Sequence, residues 1–209
     1  MNNEHSAEVG GFQFLDSVVA GPRKLRQVVA AQKELYTSAD QPGWIYYGDL
    51  YTGLKAAVNS VDPSGTLDKV VRKAAEANDA RGLAFREASD GFLKLMSKGA
   101  TGVPVKTARW TDGDLTVVMR RMIGLRQKNG TVLYVAPYVK CEPLDQDGAD
   151  VLLYLMESVL DQALPGATPV VWDVRRGKAF KLRKNTNRVA LDHYVRAQAR
   201  AYMYMWNAA

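Results

Sequence analysis

The hydrophobic pattern of this chain changes its period at residues 99–104, and that change constrains the fold more than any other feature. Before it, apolar side chains recur at the 3.6-residue spacing of amphipathic helices. After it, they alternate with polar side chains at the two-residue spacing of strands. The pattern therefore predicts an α+β protein, with a helical region over residues 1–100 and an α+β domain over residues 101–209.

The first hundred residues are predicted to form a polar, frayed start followed by a series of helices. The frayed start covers residues 1–10, and turn signals separate the helices that follow. Ser64 or Thr66 is positioned to cap the fourth of these helices. The expected helices span residues 12–19, 23–36, 44–61, 67–74 and 79–97.

The second half is predicted to follow the order β-β-β-α-β-β-α, as a mainly antiparallel sheet with packed helices. Arg121 interrupts the apolar face of the long second strand, so we expect a bulge at Arg120 and Arg121. Asn129-Gly130 is typical of a type I′ hairpin turn. Pro137 has no amide proton for the ladder, which predicts that the third strand is at a sheet edge or bulged there. The expected elements are strands 105–110, 115–127 and 131–142, helix 149–164, hairpin 170–188 and helix 188–206.

Residues 170–188 are predicted to form a β-hairpin whose two arms differ in character. The first arm is apolar, and we expect a core strand with Trp172 and Val174 packed against helix 149–164. Asp173 would then lie on the opposite face of the strand, outside that core. Arg176-Gly177 can form the tight turn, and the second arm, residues 178–184, is mostly basic.

The positive charge of the chain is concentrated in this hairpin and the helix after it. Residues 1–100 hold 12 basic and 12 acidic side chains, whereas residues 101–209 hold 16 and 10, which accounts for the whole net charge of +6. Such a local excess is typical either of a surface for a polyanion or of a solvated strand and helix face. Against one acid, Asp192, residues 174–200 contain nine basic side chains: Arg175, Arg176, Lys178, Lys181, Arg183, Lys184, Arg188, Arg196 and Arg200.

The residue content excludes several kinds of chemistry. With one cysteine and two histidines, the chain lacks the nitrogen and sulfur ligands of a zinc site and the partners for an internal disulfide. Cys141 falls on the apolar face of its predicted strand, so we expect it to be a packing residue. No glycine-rich phosphate loop and no nucleophile elbow occurs. We expect no metal and no cofactor, although a carboxylate magnesium site from Asp114, Glu142 and Asp173 stays open.

The same content predicts where the protein works. No run of about 18 apolar residues occurs, which predicts no membrane span. The N-terminal residues include an acid and lack the cationic and apolar regions of a secretory signal. The low cysteine content fits a reducing compartment. We therefore expect a cytoplasmic location and no membrane partner.

Part of the second half resembles the core of restriction-endonuclease-like folds. The likeness is in the order of elements, from the helix that ends near residue 97 to the strand 170–174. That resemblance implies an acid at the start of the second strand, where Asp114 stands, and an E-x-K motif on the third. The third strand reads Tyr138-Val139-Lys140, with Glu142 after the lysine, so the glutamate of the motif is missing. The departure implies a non-catalytic copy of such a fold.

A second resemblance covers about residues 110–206. Segments 140–144, 149–152 and 173–178 are similar to those of an uncharacterised bacterial protein family to which no activity is attached. This resemblance implies an intracellular bacterial protein and says nothing about its chemistry.

The sequence leaves three functions open. The first is a cytoplasmic nucleic-acid-binding protein, for DNA or RNA, that uses the basic hairpin and performs no catalysis. The alternative is a protein-interaction or assembly module, with a protein partner or a homo-oligomer. The second alternative is a divergent metal-dependent nuclease that uses Asp114, Glu142 and Lys140. For the first function, the expected contacts are Arg175, Arg176, Lys178, Lys181, Arg183, Lys184 and Arg188.

Overall fold

The structure, a computed structural model, describes residues 6–37 and 46–209, which form eight helices and eight strands. The α+β class is thereby confirmed. The helices are α1 (Gly11–Val19), α2 (Gly21–Thr37), α3 (Gly48–Ala57), α4 (Pro63–Ala77), α5 (Asp79–Leu95), α6 (Gln146–Ser158), α7 (Leu160–Ala163) and α8 (Arg188–Ala208). The strands are β1 (Ala7–Gly10), β2 (Thr101–Val103), β3 (Ala108–Asp112), β4 (Leu115–Met119), β5 (Ile123–Arg126), β6 (Val132–Tyr138), β7 (Thr168–Asp173) and β8 (Lys178–Phe180).

The helices lie close to their predicted positions, with differences at their ends. Asp62 caps α4 by accepting a hydrogen bond from the Gly65 amide, a role that we had expected of Ser64 or Thr66. The predicted helix 149–164 begins earlier, at a cap on Asp145, and is divided at Val159 into α6 and α7. Of the predicted helix 44–61, residues 44 and 45 lie outside the described residues.

The predicted single sheet is two mixed sheets. A three-stranded sheet has the order β1-β4-β3, and a five-stranded sheet has the order β2-β5-β6-β7-β8. Pairs β1-β4 and β6-β7 are parallel, and the other four pairs are antiparallel. The expected frayed start is therefore wrong from Ala7 onward, because β1 pairs along β4 from Ala7 with Leu115 to Gly10 with Val118.

The predicted long strand 115–127 is two strands that belong to different sheets. β4 ends at Met119 and β5 begins at Ile123, so the expected bulge is a complete break. Arg121 stands at this break with a φ of 64°, which is a left-handed conformation that costs a non-glycine residue roughly 1–2 kcal/mol. The interrupted pattern thus predicted the position of the irregularity correctly, but the irregularity is a break between two strands and not a bulge within one.

The hairpin between β5 and β6 forms at Asn129-Gly130, but through a different turn from the one predicted. Gly130 has a φ of 85° and Asn129 does not have a positive φ, so the turn is not type I′. The Gly130 amide donates to the Gln127 carbonyl at 2.9 Å, and the Gln127 amide donates to the Thr131 carbonyl at 2.8 Å. This is a three-residue loop closed by a glycine bulge.

Pro137 does not make β6 an edge strand, because β6 lies between β5 and β7. The pairing with β5 ends at Val135, whereas the pairing with β7 continues to Tyr138. Pro137 therefore has a ladder neighbour on one side only, and its missing amide proton leaves no bond to β5 unmade.

The strand β7 is buried on both faces, which corrects the predicted packing of the first hairpin arm. Trp172 packs against Phe92 of α5, with ring centroids 5.5 Å apart, a contact that was not predicted, and α6 also contacts β7. Asp173 is 1% exposed, although we had expected it to lie outside the core. Gly91 brings α5 so close that a Cβ there would overlap the Val174 carbonyl oxygen.

A continuous hydrophobic cluster extends across the predicted division at residue 100. It includes Phe14 and Leu54 from the helical region together with Leu133 and Val171 from the sheets. The helical region also supplies β1 to the smaller sheet, so it is not helical throughout. The division into two domains stays a prediction. Within residues 6–37 and 46–209, no helix combines the length and the apolar content that crossing a bilayer requires.

Candidate nucleic-acid interface

Four basic side chains form an exposed group at the end of the hairpin, which we name the basic strip. The group starts on β8 and continues into residues 181–187, which have no regular structure before α8 begins. Each of the four is exposed, and within the described residues none of them forms an ion pair. The basic strip consists of Lys178, Lys181, Arg183 and Lys184.

Local contacts shape the strip without pairing its cations with acids. The Lys178 ammonium lies over the Phe180 ring, 4.4 Å from the centroid, and Phe180 is only 2% exposed. The Thr186 amide donates to the Arg183 carbonyl at 3.1 Å, which turns the chain before α8. Asn187 then caps α8 through the Ala190 amide. The charged groups of the strip therefore stay available to a partner.

The two arginines at the hairpin tip, in contrast, are bound within the fold. The Arg175 side chain is 13% exposed, and its Nε donates to Glu87 of α5 at 2.8 Å. Arg176 donates to the Asp173 carboxylate at 3.3 Å and to the Lys140 carbonyl at 3.1 Å. It also donates to the Cys141 carbonyl. In the protein alone, the guanidinium groups of the tip are thus already bound to carboxylates and backbone carbonyls.

The basic residues of α8 divide in the same way. Arg188 forms a two-pronged pair with Glu157, at 3.0 and 3.1 Å, and this carboxylate raises the pKa of the guanidinium. Arg196 is held by Asp112 of β3 and by Asp192. Arg200 is exposed beside Asp114, in a shallow depression of about 360 Å³. Four of the nine basic side chains in residues 174–200 are therefore paired with acids: Arg175, Arg176, Arg188 and Arg196.

One further cation lies beside the strip, and no pattern in the sequence indicated that it would. Lys94 lies on α5, 84 positions before Lys178, yet its side chain passes over the hairpin turn at Gly177. A Cβ on Gly177 would lie 3.6 Å from the Lys94 ammonium. Only the packing of α5 on β7 and β8 brings this charge to the strip.

A second polar cluster lies where β4, β6 and β7 end. Asp16 of α1 pairs with Lys140, which follows β6, and Arg121 stacks on Tyr51 at 4.8 Å. Burial raises the pKa of Asp16, and the Lys140 ammonium offsets part of that rise. Burial also raises the pKa of Tyr138 to about 12. Asp16 and Tyr51 were absent from the predicted sites, because helical periodicity indicates the face on which a residue lies and not the distant side chain that it contacts.

The three nuclease candidates are not brought together. Glu142 and Lys140 lie near Asp16, at the end of the sheets where β4 finishes. Asp114 lies at the other end of β4, a strand of five residues that spans about 16 Å. No group of three histidine, cysteine or acidic side chains that could hold a metal ion occurs among the described residues. Asp173 was the third candidate ligand for magnesium, and its carboxylate accepts hydrogen bonds from Arg176 and from the Leu144 amide.

Cys141 is exposed, which corrects its predicted role as a packing residue. The reason is that β6 ends at Tyr138, so Cys141 lies three residues beyond the strand in which it was predicted to face the core. The alternation of a strand no longer applies to Cys141, and its carbonyl accepts a bond from Arg176.

An acidic cleft of about 450 Å³ lies next to the basic strip, between α1, α6 and α8. Its lining includes Val19 and Tyr194, which are 58% and 45% exposed, and three carboxylates: Asp145, Asp147 and Asp150. The Gln146 side chain donates to the Lys181 carbonyl at 3.3 Å, which joins the cleft to the strip. Surfaces of opposite charge are therefore adjacent in a chain that is basic overall.

Comparisons of the chain with protein-family models, with curated proteins and with solved structures found no match. The two resemblances described from the sequence stay predictions.

Proposed function

We propose that the protein binds nucleic acid through the phosphate groups of its backbone, and that the basic strip is the contact surface. One observation carries the proposal: four exposed cations occur within seven residues and no acidic side chain of the described chain neutralises them. Phosphate groups are the partners that such a surface attracts most strongly in a cell. The expected cytoplasmic location gives access to both DNA and RNA. No catalysis is part of this proposal.

The set of contacts is smaller than the sequence predicted. Arg175, Arg176 and Arg188 would each have to leave a carboxylate to reach a phosphate, so their net gain on binding is small. Lys178, Lys181, Arg183 and Lys184 have no such cost. Because each neutralised phosphate releases a counterion, affinity should fall steeply as salt rises.

The experiment compares two triple variants that change net charge equally. Lys181→Glu/Arg183→Glu/Lys184→Glu removes the strip, whereas Lys55→Glu/Lys69→Glu/Arg72→Glu reverses three exposed cations on α3 and α4. Each variant lowers the formal net charge from +6 to zero. Fluorescence anisotropy with labelled DNA and RNA at about 50 mM salt should show binding by the wild type and the control but not by the strip variant. Equal losses in the two variants would reduce the proposal to an effect of net charge.

Self-association is the second candidate function, and the acidic cleft favours it. A surface with adjacent positive and negative regions is self-complementary about a twofold axis, so the strip of one copy would lie in the cleft of another. The interface would then be lost in the strip variant and in Asp147→Lys/Asp150→Lys. An equimolar mixture of these two variants restores both charge pairings, and light scattering should detect a heterodimer. A wild type that stays monomeric at rising concentration would reject this candidate.

A further inference from the structure

We infer that the basic strip binds the double helix rather than single strands, and that it does so without regard to base sequence. This inference rests on the proposed function, because it names the form of nucleic acid that the same surface takes. Three features carry it: the packing of the hairpin tip, the absence of exposed aromatic rings from the strip, and the position of Lys94.

The hairpin cannot act as a probe that enters a groove. Its tip lies against α5, where Gly91 touches Val174 and the Lys94 side chain covers Gly177. The pair between Arg175 and Glu87 fastens the same tip to α5. β8 is only three residues long, so the two strands do not project as a ribbon. Base edges in a major groove are therefore out of reach, and the phosphates that flank the groove are what remains.

The strip also lacks the platform that single strands require. Proteins that hold single strands stack successive bases on aromatic side chains, and each stacked base contributes about 1–3 kcal/mol. Phe180 is the aromatic residue between Lys178 and Lys181 of the strip, and it is buried beneath Lys178. Of the exposed aromatic side chains that the structure describes, Tyr46 lies next to α3 and Tyr204 lies on α8. Tyr194 lies in the acidic cleft, whose carboxylates repel a phosphate backbone.

The charge arrangement matches a double helix better than a single strand. Lys94 adds a fifth cation from α5, so the positive surface is wider than one chain segment. A duplex carries one phosphate charge per about 1.7 Å of its axis, which is twice the density of either strand. Cations from two elements can therefore meet phosphates of both strands at once.

The test measures affinity for a blunt duplex of about 20 base pairs and for each of its single strands, by fluorescence anisotropy over a range of salt. DNA and RNA versions of the duplex show which helix is preferred. We expect at least one duplex to bind about tenfold more tightly than any of the single strands. With four to five phosphate contacts, the slope of log affinity against log salt should be about −4. A duplex of scrambled sequence should bind with unchanged affinity.

Lys94→Glu supplies the variant, and Lys69→Glu on α4 is its matched control. Loss of one phosphate contact should lower duplex affinity by about tenfold near 0.1 M salt and reduce the slope by about 1. Single strands that bind as tightly as the duplexes, or a Lys94 variant that equals its control, would overturn the inference and leave the proposed function standing. Absence of binding to every probe would overturn both. A preference above tenfold for one base sequence would also reject it.

Discussion

The tip of the β7–β8 hairpin and the basic strip that follows it carry the same kind of side chain in opposite states. At the tip, Arg175 and Arg176 are committed to Glu87 and Asp173. In the strip, Lys181, Arg183 and Lys184 are exposed, and they have no acidic partner in the part of the chain that the structure describes. Gly177 alone separates Arg176 of the tip from Lys178 of the strip, yet one group belongs to the fold and the other to the surface.

The difference shows that a count of charges does not measure the charge available to a partner. A paired arginine at the tip loses an existing carboxylate contact when it turns to a phosphate, so little free energy is gained. An exposed lysine exchanges only water and counterions, and the release of counterions favours binding. Substitutions at the tip should therefore change stability, whereas substitutions in the strip should change binding.

The largest expected effect is at the tip, in Arg176→Met. Asp173 is buried, and the variant leaves its carboxylate with the Leu144 amide as its remaining hydrogen-bond donor. We expect a loss of about 2–3 kcal/mol in the free energy of unfolding, measured by urea denaturation. The matched control in the strip, Lys184→Met, should change stability by less than about 0.5 kcal/mol. Adding Asp173→Asn to Arg176→Met should recover part of the loss, and failure to do so would mean that the ion pair is not the cause.

The next effect tests the contact between the tip and α5, through Gly91→Ala. Helix propensity alone would make this variant more stable by about 1 kcal/mol. We expect instead a loss of about 2 kcal/mol in the free energy of unfolding, because the new methyl group overlaps the Val174 carbonyl oxygen. Neither group can rotate away, since the methyl carbon is attached directly to the backbone and the oxygen is part of it. Thermal and urea unfolding measure the change, and the neighbouring exposed residue supplies the control in Asp90→Ala. A more stable Gly91→Ala protein would show that the tip does not pack on α5 this closely.

A smaller, pH-dependent effect is expected in Lys140→Met, which removes the cation beside Asp16. Because the pKa of Asp16 is raised in the fold, the folded state binds more protons than the unfolded state, so stability falls as pH rises from about 4 through the raised pKa. Without Lys140 that fall becomes larger. Both side chains are about one-third exposed, so we expect a loss of only about 1 kcal/mol at pH 7 and less at pH 4.

Urea unfolding at the two pH values measures this dependence. Asp16→Asn removes the titrating group, so the same lysine substitution in that background should have nearly equal effects at both pH values. In the protein that keeps Asp16, a loss of stability from Lys140→Met that is the same at both pH values would assign the effect of Lys140 to packing.

The smallest effect on stability is expected in the strip variant, Lys181→Glu/Arg183→Glu/Lys184→Glu. These side chains make no ion pairs within the described residues, so the free energy of unfolding should change by less than about 0.5 kcal/mol. Binding to nucleic acid should be lost in the same protein. Arg176→Met should give the reverse result, with lower stability and nearly unchanged binding by the folded protein. If both variants lose both properties, the distinction between tip and strip fails.

The sequence predicted helices and turns well where the pattern that indicates them lies within a few neighbouring residues. The 3.6-residue period located α1, α2, α5 and α8 to within a few residues, and Asn129-Gly130 marked a real hairpin. The residue Arg121 interrupted an alternating pattern, and it marks the break between β4 and β5. Each of these signals depends on residues a few positions apart, which is why sequence alone could show them.

Where the signal was not local, the predictions were wrong or incomplete. β1 is four residues long and pairs with β4, more than a hundred positions away, so nothing near Ala7 indicates a strand. Asp173 was expected outside the core because alternation describes one face of a strand, whereas β7 is buried on both. The burial of its carboxylate is compensated by hydrogen bonds from Arg176 and from the Leu144 amide. The hairpin turn places the first donor beside Asp173, and the loop before α6 places the second.

By itself, the sequence determined that this chain folds as an α+β protein and that its excess positive charge lies in the hairpin and α8. Hydrophobic period and charge are properties of residues in order, so they can be read from that order. The tertiary structure decided which of those charges are available, since the acids that pair with Arg175 and Arg188 lie 88 and 31 positions away. It also decided that Lys94 joins the strip, because only the packing of α5 against the hairpin places the two side by side.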